Sequence, residues 1–132
     1  MNVGLDLLEV ERMETALARR PGLGKRLFTS GEREYASARA RPAQHLAARF
    51  CAKEAVTKAL GLDVFAPRSI EVEGGGTSEV GVRLHGEVAE RATALGVEVA
   101  VSLTHTRTMA GAVAVLTRVD DGSRVDLAER AR

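Results

Sequence analysis

The pattern of apolar and polar positions changes period within the first twenty residues. In "NVGLDLL" the apolar residues run almost unbroken, as in a buried strand, whereas "EVERMETALARR" sets Val10, Met13 and Leu17 at helical spacing. A strand followed by a helix beginning near Leu8 is expected. Pro21 and Gly22 stop that helix, "LGKRLF" reads as a short amphipathic turn, and "TSGEREYASARA" opens a second helix with Thr29 or Ser30 as N-cap and acids close behind. After Pro42 a long helix is expected from about Ala43 to Leu60, closed by Gly61. A loop holding Pro67 leads into "SIEVEGGGTSEVGVRLHG", two alternating runs around a Gly-rich turn, hence a hairpin. "GEVAERATALG" predicts a last helix closed by Gly96, and "VEVAVSLTHT" and "MAGAVAVLTRV" predict two further strands. Helices and mainly antiparallel strands in mixed order define an α+β fold, a sheet packed against the long helix. One domain is expected over residues 1–118, followed by a polar tail, 119–132, read as flexible.

Composition narrows the class. With 132 residues, 45% of them hydrophobic and 28% charged, the chain has the make-up of one globular domain. A formal charge of +1 argues against general nucleic-acid binding, which needs clustered cations in excess, so any anion site must be local. No run is long enough for a membrane span, and "MNVGLDLLEV" lacks the basic start of a signal peptide, so a cytoplasmic location is expected. The lone Cys51 allows no internal disulfide and reads as a small buried side chain. Aromatics make up only 3% and Trp is absent, which leaves Leu, Val and Ala to build the core.

The long helix carries the chemistry-bearing residues. In "ARFCAKEAVTKALG" the charges lie on several sides: Glu54 and Lys58 share a face with Ala47 and Cys51, and Arg49 and Lys53 share another near Val56 and Leu60. Glu54 four residues before Lys58 is the favourable order for a helix ion pair, but Arg49 and Lys53 are like charges at that spacing, a cost that a bound anion would remove. A carboxylate among cations suits a site that holds a metal ion and phosphate oxygens together, and a hard cation wants a second carboxylate. Asp6, an acid within an apolar run, is the candidate; capping of the following helix is the competing role. His105, in a turn between two strands, can donate to a phosphate or support an acid–base step, whereas His45 and His85 have no comparable setting.

Together these segments resemble the holo-acyl-carrier-protein synthase family, the small type of 4′-phosphopantetheinyl transferase. "VGLDLLEVERM" looks like its first motif, "FTSGEREYA" is similar to its F-T-x-x-E-x-x-Y segment, and "ARFCAKEAVTKALG" resembles R-F-x-x-K-E-A-x-x-K-A-x-G. "VSLTHTRTMAGAVAV" matches the closing S-x-[ST]-H-[ST] strand and its Ala-rich partner. The matches follow the family order across residues 3–116.

The resemblance implies Mg²⁺-dependent transfer of the phosphopantetheine arm from coenzyme A to a serine of an apo acyl carrier protein, releasing 3′,5′-ADP. It implies Asp6 and Glu54 as metal ligands and, with Lys58, as the catalytic group. Arg49, Lys53, Lys58, His105 and Thr106 become candidates for the coenzyme A phosphates. Acidic carriers imply docking on the basic residues Arg12, Arg19, Arg20 and Arg26, with Lys25 beside them. The carrier could serve fatty-acid, polyketide or peptide synthesis. A homotrimer with sites at subunit interfaces is also implied, and "AGAVAV" would suit either such an interface or a core. The chain departs from the family pattern after the long helix, where "GLDVFAPRSIEV" stands in place of a Gly-rich segment. Two other classes compete: a non-catalytic domain binding coenzyme A or carriers, which would not need Asp6 and Glu54 together, and a different Mg²⁺-dependent enzyme acting on a nucleotide diphosphate, which would not need a basic docking helix.

Overall fold

The computed structural model describes residues 2–119; the expected polar tail, Val119 apart, lies outside the described residues. The chain runs β1 (Val3–Glu9), α1 (Val10–Arg19), α2 (Leu23–Leu27), α3 (Ser30–Ser37), α4 (Pro42–Ala59), a 3₁₀ turn (Pro67–Ser69), β2 (Ile70–Gly75), β3 (Ser78–Leu84), α5 (Gly86–Leu95), β4 (Val97–His105) and β5 (Met109–Arg118). Two antiparallel sheets form, one of order β1-β5-β4 and one the β2-β3 hairpin. The expected α+β architecture is present: α4 lies across one face of the larger sheet and reaches β2.

Local chemistry accounts for most boundaries. Thr29 caps α3 with a capping box, in which Glu32 N donates to Thr29 Oγ1 at 3.3 Å and Thr29 N donates to Glu32 Oε1 at 2.9 Å. Pro42 sits in the first turn of α4, where its missing N–H costs nothing, and Gly96 closes α5 in a left-handed conformation. The first helix begins two residues later than expected, at Val10, because Leu8 and Glu9 continue the ladder opposite Ala110 and Met109. Asp6 therefore stands in mid-strand and caps nothing.

The core is small-residue packing around α4. Ala47, Ala48, Cys51, Ala52, Ala55, Val56 and Ala59 are buried, and they meet Ala110, Ala112 and Ala114 of β5. The Ala-rich strand thus turns its alanines into the core and not toward an interface. Gly4 sets how near the helix comes: a Cβ there would lie 1.9 Å from the Ala55 carbonyl oxygen, so only glycine lets β1 press against the backbone of α4. The opposite face of the sheet is open and apolar, with Leu5 62% and Leu7 65% exposed and Val3 and Val115 beside them.

Candidate active site

Period-two alternation in β1 puts Gly4, Asp6 and Leu8 on the face toward α4, and Asp6 lies opposite Ala112, a small neighbour that leaves room beside its carboxylate. The close approach at Gly4 brings Asp6 to the α4 face that carries Cys51, Glu54 and Lys58. Lys58 Nζ donates to Asp6 Oδ1 at 3.3 Å and to the Leu5 carbonyl at 3.0 Å. The helix ion pair expected between Glu54 and Lys58 is replaced by this contact, because a strand carboxylate reaches the ammonium first. Burial, then the charge of Asp6, pushes the Glu54 carboxyl up, with Lys58 opposing. Cys51 lies beneath the pair, buried, and burial followed by Asp6 and Glu54 pushes its thiol up to about 12. The thiol stays protonated and has no nucleophilic use at neutral pH.

A carboxylate whose ionisation is opposed by burial and then by the charge of a second carboxylate, as Glu54 is beside Asp6, fits a hard divalent cation. Mg²⁺ takes one or two protein carboxylates and fills its other positions with water and phosphate oxygens. Among the described residues no cluster of three or more His, Cys, Asp or Glu side chains could hold a metal alone, which disfavours a closed structural site.

A groove of about 360 Å³ is lined by Leu8, Met13, Leu27, Phe50 and Phe65 together with Glu54 and Arg12. The rings of Phe50 and Phe65 meet edge to face at 5.6 Å. Arg12 and Arg19 of α1 and Arg20 just past its end are exposed and share a depression with Glu9 and Glu11, and Lys25 and Arg26 are exposed on α2.

The second expected pair separates. Lys53 is fully buried, and its ammonium donates to Glu32 Oε1 at 2.7 Å and to the Pro67 and Ile70 carbonyls at 2.6 Å each. Its three N–H groups are all engaged, so Lys53 has none to offer a phosphate; the anion that relieves its repulsion from Arg49 is the protein's own Glu32. That acid, only 1% exposed, also accepts from Val72 N at 3.0 Å and so ties α3, α4 and β2 together.

Arg49 keeps one donor without a partner. It is 3% exposed, donates from Nη2 to the Gly74 carbonyl at 2.6 Å, and its Nε is buried with no hydrogen-bond partner. The guanidinium lies 3.9 Å over the Tyr35 ring, and that of Arg39 lies 4.3 Å from the same ring. Three consecutive glycines with positive φ, Gly74 to Gly76, let the β2-β3 turn fold against these side chains; a Cβ at Gly75 would fall 2.5 Å from the Tyr35 hydroxyl. His45, without a role in the sequence reading, meets Tyr35 at 5.7 Å and His105 at 5.3 Å, both edge to face. Burial lowers its pKa first, and His105, Arg39 and Arg49 lower it further. Thr106 holds the β4-β5 turn, its Oγ1 accepting from Thr108 N and Met109 N, while Gln44 Nε2 donates to its carbonyl at 2.7 Å.

A carboxylate that meets a lysine, beside a second carboxylate that lines a groove, suits phosphoryl transfer, a chemistry in which positioning and charge stabilisation outweigh covalent participation. The chain belongs to the 4′-phosphopantetheinyl transferase superfamily, whose family model matches residues 2–114. It is thereby a transferase enzyme. A holo-[acyl-carrier-protein] synthase of Moorella thermoacetica is 43% identical over 121 residues, covering 88% of this chain and 93% of that protein. One of Streptomyces coelicolor is 42% identical over 119 residues, covering 87% and 95%. A solved complex of an acyl-carrier-protein synthase with coenzyme A, from Chronobacterium ammoniagenes, superposes with a TM-score of 0.78 at 30% identity, covering 90% of this chain and 98% of that one.

Proposed function

We propose that this chain moves the 4′-phosphopantetheine arm of coenzyme A onto a serine of an apo acyl carrier protein, with Mg²⁺ held by Asp6 and Glu54. The reading is carried by one observation: Asp6, from a strand, meets Lys58 of a helix and acts on Glu54 of the same helix, which lines an apolar groove. The relatives named above are holo-[acyl-carrier-protein] synthases, and coenzyme A is bound in a related structure.

In the reaction the serine oxygen attacks the phosphorus that bears the pantetheine arm. A new P–O bond forms as the pyrophosphate P–O bond breaks, and 3′,5′-ADP departs with the electron pair. Bound Mg²⁺ supplies charge neutralisation at the pyrophosphate. Lys58, half-exposed and tethered only by Asp6 and a carbonyl, can turn its ammonium to the departing phosphate oxygen and protonate it. The seryl proton leaves to Glu54, whose carboxyl pKa is raised by burial and then by the charge of Asp6. The groove beside Phe50 and Phe65 offers an apolar surface beside Glu54, and Arg12, Arg19, Arg20 and Arg26 attract an acidic carrier.

Arg49 and His105 bind phosphate on another side of α4. Arg49 precedes Glu54 by five residues, about 8 Å along the axis and roughly 140° around it. The open sheet face of Val3, Leu5, Leu7 and Val115 supports a homotrimer, in which a neighbour's cations can serve the carboxylates of each copy. A cytoplasmic setting belongs to the same reading; no helix among the described residues is long and apolar enough to cross a membrane.

The test is intact-protein mass spectrometry of an apo acyl carrier protein incubated with this chain, coenzyme A and Mg²⁺, beside a chelated control. A mass gain of one phosphopantetheine arm, lost on chelation, is expected. No gain with fatty-acid, polyketide and peptide carriers, coenzyme A binding persisting, would replace the reading by a non-catalytic binding domain.

A further inference from the structure

We propose that His45 is a phosphate-binding residue of this chain, and that its protonation tightens the grip on the 3′-phosphate monoester of coenzyme A as pH falls. The inference rests on the coenzyme A reading above and adds a residue and a pH dependence to it.

The groups that face His45 come from three elements and the α3-α4 connection. Tyr35 of α3 and His105 of β4 meet its ring edge to face, and Arg39 of the connection and Arg49 of α4 place their charges near it. No carboxylate is among the groups that shift its titration, and Glu32, the acid that acts on Arg49, is itself engaged by Lys53. Two guanidiniums stacked on Tyr35 and two imidazoles thus converge with no carboxylate acting on His45 and with Glu32 already shared with Lys53. The buried Nε of Arg49 is a donor with nothing to donate to. Such an accumulation costs stability unless a ligand brings the missing charge. A phosphate monoester fits: it carries close to two negative charges and three acceptor oxygens, and arginine and imidazolium donors match them. The metal-held pyrophosphate is a different part of coenzyme A, so the monoester is the group left for this cluster.

The direction of the pH effect follows from linkage. In the free protein burial, and then His105, Arg39 and Arg49, hold His45 neutral to lower pH than an ordinary imidazole. A bound dianion reverses that field and raises the pKa of His45, so binding takes up a proton. Affinity gained this way is present below the free-state titration and is lost as pH rises through the bound-state titration. The monoester has its own second ionisation near pH 6, which weakens binding in acid. Because that ionisation is common to all variants, the ratio of dissociation constants between variant and parent isolates His45.

The experiment is calorimetric titration of the full chain and of His45→Phe and His45→Gln with coenzyme A and with 3′-dephospho-coenzyme A, between about pH 5.5 and 8.5. Phe keeps the aromatic edge contacts, Gln keeps a donor without charge, and a thermal melt checks the fold of each. For coenzyme A, the ratio of the His45→Phe constant to the parent constant should rise from about one in base to roughly tenfold in acid, as for a one-unit pKa rise on binding. His45→Gln should behave alike, and with 3′-dephospho-coenzyme A the ratio should stay near one throughout. A ratio independent of pH with coenzyme A, the same acid rise with the dephospho form, or parent-like acid binding by His45→Gln overturns the assignment. Competition by inorganic phosphate equal to that of coenzyme A would mean that the cluster takes free phosphate, and would also overturn it. Failure of the parent to bind coenzyme A at any pH overturns the coenzyme A reading itself, an outcome distinct from the loss of His45 alone.

Discussion

Replacing Lys53 by Met separates a structural role from a substrate-binding one. Met keeps most of the length and volume but removes the ammonium, leaving Glu32 as a buried carboxylate that accepts only from the backbone of Thr29 and Val72. The Pro67 and Ile70 carbonyls lose their donor as well. Breaking one side of a buried pair costs about 3–5 kcal/mol, a large share of the roughly 5–15 kcal/mol that holds a domain folded. The thermal midpoint, followed by circular dichroism, should fall by about 10–20 °C. Removing both charges, in Glu32→Gln/Lys53→Met, should recover at least about half of that loss, because no unpaired ion remains in the core. Measured well below the midpoint, the KM for coenzyme A of Lys53→Met should stay within about twofold of the parent, as expected when substrate binding is untouched. A midpoint within about 3 °C of the parent together with a KM raised tenfold or more would refute the reasoning and return Lys53 to the substrate.

Gly4→Ala should lose both activity and stability, since its Cβ meets the Ala55 carbonyl and pushes β1, with Asp6, off α4; a destabilisation of about 1–3 kcal/mol or more is expected in denaturant titration. An unchanged midpoint would mean that the strand does not pack this closely. Arg12→Glu/Arg19→Glu should raise the KM for an acidic carrier by tenfold or so while sparing that for coenzyme A, measured by varying each substrate in turn; equal effects would remove the docking role. Without ligand, the lowered pKa of His45 means that the unfolded chain takes up its proton first on acidification. Its contribution to stability is therefore lost as pH falls below the ordinary histidine range. A pH series of melts on the parent and His45→Gln should show the parent falling more steeply in acid, and coenzyme A should oppose the fall.

What the sequence revealed depended on range. The strand–helix start, the Thr29 cap, the hairpin and the Gly96 stop were legible because each rests on neighbours within a few residues. Asp6 and Glu54 could be put forward as a pair because both are acids in apolar settings. The Glu54–Lys58 pair was misjudged because the rule for isolated helices knows nothing of a strand carboxylate 52 residues away. Glu32 and Lys53, 21 residues apart, each look like solvated helix charges until α3 and α4 pack. His45 gave no local signal at all. Its setting comes from Tyr35, Arg39, Arg49 and His105, which only the tertiary fold assembles, although an imidazole one helical turn before Arg49 could have prompted the question.

The central claim is that Asp6 and Glu54 form one metal-dependent transfer site. Its most direct test is the rate at which Glu54→Gln and Asp6→Asn add the phosphopantetheine arm to an apo carrier protein, followed by intact mass at saturating Mg²⁺ with native-like melts confirmed. Both variants should fall by at least about a thousandfold, as for groups that stabilise transition-state charge. Turnover near that of the parent in either variant, with the fold intact, would contradict the account.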